Sequence, residues 1–191
     1  LLVSTSIVAG SLAALAQRQN VGVACLFADA THVVVVDVSG SMANADSRGG
    51  RRRIDVAREE LAKLQAQHPG RLAIIGFSER ARFLPGGVVP EAETNTDLAG
   101  ALGYARRVDG TGLALVVITD GQPDDATAAL AEAQRFTCRI DVVFVGDEAD
   151  AGAQLFCKLL ARSGRGTASQ AFRVGGMAEA VTPLLSAGAS R

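Results

Sequence analysis

Three short stretches of this chain carry oxygen-bearing side chains at spacings that suit a hard metal ion. The first is Asp37-Val38-Ser39-Gly40-Ser41-Met42, an Asp-x-Ser-x-Ser run that leaves four consecutive valines. The second is Ile118-Thr119-Asp120-Gly121, which closes another apolar run. Between them lies Asn95-Thr96-Asp97-Leu98-Ala99-Gly100-Ala101-Leu102, where hydroxyl and carboxylate groups open a helical pattern. Hard dications such as Mg²⁺ take oxygen ligands in near-octahedral order at about 2.0–2.1 Å and keep several waters. Two carboxylates (Asp37, Asp120) and three hydroxyls (Ser39, Ser41, and Thr96 or Thr94) meet that demand and leave a position open. Alternate spacing lets a turning backbone aim Asp37, Ser39 and Ser41 at one centre, and Gly40 permits a tight bend. An all-oxygen set does not separate Mg²⁺ from Mn²⁺. Taken alone, the Asp37 run could equally be a turn and cap after a strand.

The elements that must position these loops follow from periodicity. From His32 onward, strand-length apolar runs alternate with helical patterns, which predicts a doubly wound α/β fold with a mainly parallel six-stranded sheet and helices on both faces. Strands are expected at His32–Val38, Arg71–Phe77, Ala81–Leu84, Leu113–Thr119, Ile140–Val145 and Ala168–Val174. Helices are expected at Ile54–Gln67, Asp97–Arg107, Asp124–Phe136, Asp150–Ala161 and Met177–Leu185, with Asp124 or Asp125 capping the third. In the first, Ile54, Ala57, Leu61 and Leu64 share one face. The gap from Phe77 to Ala81 is too short for a helical crossover, so those strands form a hairpin and place one antiparallel edge strand on the sheet. Ligands of such sheets bind beyond the carboxyl ends of the strands, where the Asp37 and Asp120 loops fall.

These three loops, in this order, resemble the metal-ion-dependent adhesion site of von Willebrand factor A domains. The likeness covers most of the chain and includes the hairpin after the first helix. It implies that Ser39 and Ser41 coordinate the ion directly, Thr96 directly or through water, and Asp37 and Asp120 largely through water or hydrogen bonds. A partner's Asp or Glu would complete the shell. Many members carry paired glycines before the threonine, where this chain has Glu93-Thr94-Asn95; Thr94 is therefore an alternative ligand, and Thr96 is preferred for its distance to Ala101-Leu102. Asp97 either adds negative charge near the ion or begins the helix. The resemblance further implies a non-catalytic protein-interaction module. Among intracellular bacterial relatives, MoxR-type AAA+ ATPases are frequent partners, with the domain as adaptor.

Two other functions compete. Haloacid dehalogenase-like phosphatases also place an Asp after a strand beside Mg²⁺, but they need Asp-x-Asp; here Ser39 stands at the second position, and the two lysines, Lys63 and Lys158, provide no phosphate clamp. RNA binding would rest on Arg48, Arg51, Arg52 and Arg53, which could grip phosphate but read more simply as a solvated loop. A net charge of -1 gives the whole molecule no attraction to nucleic acid or an acidic membrane. Ser78 lacks a nucleophile elbow, and His32 and His68 have no ligand partners at metal spacing.

At 48% apolar and 20% charged residues the chain has a globular composition without an interdomain linker. It divides into an N-terminal extension, residues 1–30, and the domain proper, residues 31–191. The uncharged start resembles a signal peptide at Ala14-Leu15-Ala16 but lacks a basic leader, so a helix over Ile7–Gln17 and an extra strand over Val21–Phe27 are expected instead. Cys25, Cys138 and Cys157 match neither a disulfide framework nor a zinc site and read as small hydrophobes in a reducing compartment, the cytoplasm.

Overall fold

A computed structural model describes residues 32–46, 51–84, 88–109, 114–147 and 149–170. The strands are β1 (His32–Asp37), β2 (Leu72–Phe77), β3 (Ala81–Phe83), β4 (Ala114–Thr119), β5 (Ile140–Phe144) and β6 (Arg165–Gln170). The helices are α1 (Arg53–Gln67), α2 (Leu98–Ala105), α3 (Ala126–Gln134) and α4 (Ala151–Ser163). One sheet holds all six strands in the order β3-β2-β1-β4-β5-β6. Only the β2–β3 pair is antiparallel, in register Ile75 to Phe83. The expected N-terminal helix and extra strand, the helix at Met177–Leu185, Cys25 and Arg48 lie outside the described residues.

The strand order places a switch point between β1 and β4. The chain leaves β1 for β2 on one side, then returns past β1 and builds β4, β5 and β6 on the other. Crossovers of one hand then put α1 on one face and the later helices on the opposite face. The core divides accordingly. Val33, Val35, Leu115, Val117 and Val142 pack with Leu98, Leu102, Ala129, Phe156 and Leu160 from α2, α3 and α4. Val34, Val36, Ile74, Val116, Ile118 and Val143 pack with Ile54, Ala57 and Leu61 of α1. The valine run is thus buried on both faces by strict alternation, each side chain contributing about 1.5–3 kcal/mol of burial.

Asp97, Asp125 and Asp150 cap α2, α3 and α4, each accepting a backbone N–H three residues on. Asp125 is therefore the cap of α3, and Asp124 is free for another contact. Asp97 is exposed and caps α2, as the helix-starting reading expects.

The last strand departs from expectation. It begins at Arg165, immediately after the helix-ending Gly164, and not at Ala168. Its polar start, Arg165-Gly166-Thr167, has no apolar alternation because it is anchored by a side chain: the buried Asp141 of β5 accepts from Thr167 N and Thr167 Oγ1 at 2.8 and 2.9 Å. Arg165 adopts a left-handed φ of 58° to make the turn.

Candidate metal centre

Parallel register builds the centre. Val35 pairs with Val117 and Val36 with Ile118, so the next position brings Asp37 beside Thr119. Both project on the same face of the sheet. Thr119 Oγ1 donates to Asp37 Oδ2 at 2.8 Å and itself accepts from Gly121 N at 3.1 Å. The other Asp37 oxygen, Oδ1, accepts from Ser39 N at 2.8 Å. Asp37 is therefore fixed from both ends and completely buried.

Beyond β1 the chain makes a 3₁₀ turn over Gly40–Ala43, closed by Met42 N donating to the Ser39 carbonyl at 3.1 Å. Met42 is sunk in the core under α1 and pins this turn. Ser39 Oγ and Ser41 Oγ then stand 3.1 Å apart, the first buried and the second half-buried. Gly40 serves close approach: a Cβ there would lie 3.2 Å from the Glu93 carbonyl and 3.5 Å from that of Thr94. The third loop thus passes directly over the Asp-x-Ser-x-Ser turn, held by Glu93 N donating to the Val38 carbonyl at 2.7 Å.

Thr96 is buried and Thr94 exposed, which supports Thr96 as the inward-facing threonine. Its loop is knitted to the Asp120 loop by two bonds through Asp124. Thr96 N donates to Asp124 Oδ2 at 3.0 Å, and Asp124 N donates to the Thr96 carbonyl at 3.1 Å. Ser78, at the end of β2, adds a third tie, its carbonyl accepting from Asp97 N at 2.7 Å and its hydroxyl donating to Glu93.

Asp120 follows β4 and is buried. Gly121, at φ 82°, turns the chain under α4, where a Cβ would meet the Ala153 carbonyl at 2.7 Å. One Asp120 oxygen, Oδ2, accepts from Arg53 Nη1 at 3.3 Å; the other, Oδ1, is buried without a hydrogen-bond partner. Burial and, after it, the charge of Asp120 push the Asp37 carboxyl up to about 7, against the lowering influence of its Ser39 and Thr119 bonds.

The donor set fits a hard dication. Two buried carboxylates repel one another, one oxygen lacks a partner, and paired hydroxyls lie on the adjoining turn. Among the described residues no three His, Cys, Asp or Glu side chains cluster for a metal, so the hydroxyls are indispensable to such a site. Sequence reasoning missed Arg53, Asp46 and the Asp124 tie. Arg53, one of the arginines that the sequence reads as a solvated loop, is 5% exposed and grips Asp46 and Asp120. Arg51 and Arg52 are paired on the surface with Glu59, and with Asp55 and Glu91. The thiols of Cys138 and Cys157 are free and pushed up to about 12 by burial first, which makes them poor nucleophiles.

A doubly wound sheet with this strand order, an antiparallel hairpin edge and three loops gathered beyond β1 and β4 defines the von Willebrand factor A fold. Solved structures share it. BatB from Bacteroides thetaiotaomicron superposes with a TM-score of 0.63 at 19% identity, covering 84% of this chain and 98% of that one. An aerotolerance-related membrane protein from Bacteroides fragilis gives 0.62 at 17%, covering 82% and 98%. The manganese-loaded TRAP protein of Plasmodium vivax gives 0.58 at 18%, covering 82% and 74%. No protein-family model matches the chain, and no curated protein matches it in sequence.

Proposed function

We propose that this chain is a non-catalytic protein-interaction module that docks an acidic partner residue through Mg²⁺ or Mn²⁺ held by Asp37, Ser39, Ser41, Thr96 and Asp120. The observation that carries the reading is the buried, mutually repelling Asp37–Asp120 pair, with Asp120 Oδ1 unpartnered and the Ser39 and Ser41 hydroxyls 3.1 Å apart on the turn that follows Asp37. The manganese-loaded state of a neighbour with this fold supports it. When bound, the ion would supply an electrophilic centre for an outside carboxylate, because two carboxylates balance its charge without filling its coordination shell. The chain's own residues do the rest. Thr119 and Ser39 N hold Asp37 in one orientation, Met42 pins the serine turn, and Asp124 holds the Thr96 loop against it.

An AAA+ ATPase of the MoxR type is the partner class that the family resemblance favours, with this domain as its adaptor in the cytoplasm. Among the described residues no helix is long and apolar enough to cross a membrane. A phosphohydrolase would need a second carboxylate where Ser39 stands, so Mg²⁺-dependent turnover of a generic phosphoester that disappears in Asp37→Asn would contradict the proposal.

Native capture tests it with three samples: wild type in Mg²⁺, wild type in EDTA, and Asp37→Ala in Mg²⁺, read by mass spectrometry. A protein retained only in the first supports metal-dependent docking. Identical retention in all three refutes it.

A further inference from the structure

Arg53 belongs to the centre but not to its ligand set. It is the first residue of α1, and its guanidinium is divided between two carboxylates. Nε donates to Asp46 Oδ1 at 2.7 Å, Nη2 to the other Asp46 oxygen, and Nη1 to Asp120 Oδ2 at 3.3 Å. The side chain is 6% exposed, Asp120 is 2% exposed and Asp46 is 50% exposed. The guanidinium thus has one anchor toward solvent and one toward the centre. Asp120 keeps its second oxygen buried and unpartnered, while the nearby Asp37 is held by Ser39 N and Thr119 Oγ1 and by no cation among the described residues. Asp37, Asp46 and Asp120 outnumber the one guanidinium, and Asp147 adds a further negative charge that Arg53 feels, so the centre keeps an excess of negative charge that a dication would offset.

A buried carboxylate with nothing to offset it is unfavourable, and a guanidinium cannot shed its proton to escape. We infer that Arg53 is a built-in counter-cation of the centre. It neutralises Asp120 while no metal is bound, keeping the three loops assembled, and shares that carboxylate once metal binds, which holds metal affinity down. The inference rests on the metal-site reading above and assigns Arg53 a positioning role, not that of a ligand.

Arg53→Met keeps an unbranched stem at a helix start and deletes the charge. Two measurements test it: thermal melting in EDTA and in saturating Mn²⁺, and calorimetric Mn²⁺ titration. In EDTA the variant should melt lower by on the order of 10 °C. Saturating Mn²⁺ should recover more of that deficit than it adds to wild type. The variant should bind Mn²⁺ on the order of tenfold more tightly, equivalent to about 1.4 kcal/mol. Asp46→Asn, which leaves the fold's interior intact, should act in the opposite sense, because Arg53 is then committed to Asp120: Mn²⁺ binding weakens on the order of threefold. Arg53→Lys, retaining the charge, should stay near wild type in affinity. An Arg53→Met protein equally destabilised with and without Mn²⁺, binding it no more tightly than wild type, would reduce Arg53 to a structural clamp. If Arg53→Met fails to fold, unchanged or tighter binding by Asp46→Asn refutes the inference by itself. Wild type that binds no Mn²⁺ overturns the metal reading, and this inference with it.

Discussion

Thr119→Val isolates the bond on which the geometry of the centre depends. The hydroxyl links two strand ends 82 positions apart, donating to Asp37 Oδ2 at 2.8 Å while accepting from Gly121 N at 3.1 Å. Thr119 and Asp37 are 1% and 0% exposed, so water cannot replace either bond. A hydrogen bond to a charged group contributes about 1.5–3 kcal/mol, and stranding the Gly121 N–H adds about 1 kcal/mol. The valine methyl returns at most about 1 kcal/mol of burial. The net loss is about 1.5–3 kcal/mol, a fall in melting temperature of roughly 3–12 °C for a domain of this size. Urea denaturation in EDTA at pH 8 measures it directly. At pH 5, where Asp37 carries its proton, the same substitution should destabilise less, since a neutral pair replaces a charge-assisted one. Calorimetry should also find weaker Mn²⁺ binding, because Asp37 is freed to rotate. A loss below about 0.5 kcal/mol at pH 8, with metal affinity intact, would refute the claim that Thr119 holds the centre together.

Two further outcomes follow from the same geometry. In metal-free protein the Asp37 carboxyl is raised from 3.8 to about 7, so the folded chain retains a proton that the unfolded chain releases. Stability from this group is complete below about pH 4 and declines as pH rises toward 7. Urea midpoints across that window should fall for wild type and flatten for Asp37→Asn; equal slopes would contradict the assignment. Asp124→Ala removes the acceptor of Thr96 N, a bond worth about 1 kcal/mol. Amide hydrogen exchange at Thr96 should accelerate and Mn²⁺ binding weaken several-fold, while protection at Ala128 N, capped by Asp125, is unchanged. Unaltered exchange at Thr96 would sink the proposed loop tie.

Much of this architecture was legible in the chain because its signals are local. Four β-branched valines bounded by polar residues favour a short strand buried on both faces, and β1 begins at the expected His32. The four-residue separation that forbids a crossover sets the β2–β3 hairpin. Less was legible at β6, where pairing depends on Asp141 reaching Thr167 and not on apolar alternation. An edge strand secured by a polar side chain has no periodic signature.

The same division runs through the centre. Residue types and spacing alone determined that Asp37 ends an apolar strand with Ser39 and Ser41 just beyond it and that Asp120 follows another, since each is a property of a few consecutive residues. Only the tertiary structure decided that Thr119 clasps Asp37, that Asp124 holds Thr96 while its neighbour Asp125 caps the helix, and that Arg53 turns inward to Asp120. Those contacts span 82, 28 and 67 positions. They exist because β1 and β4 are neighbours at the switch point of the sheet, an adjacency set by how the whole chain winds and packs its two cores.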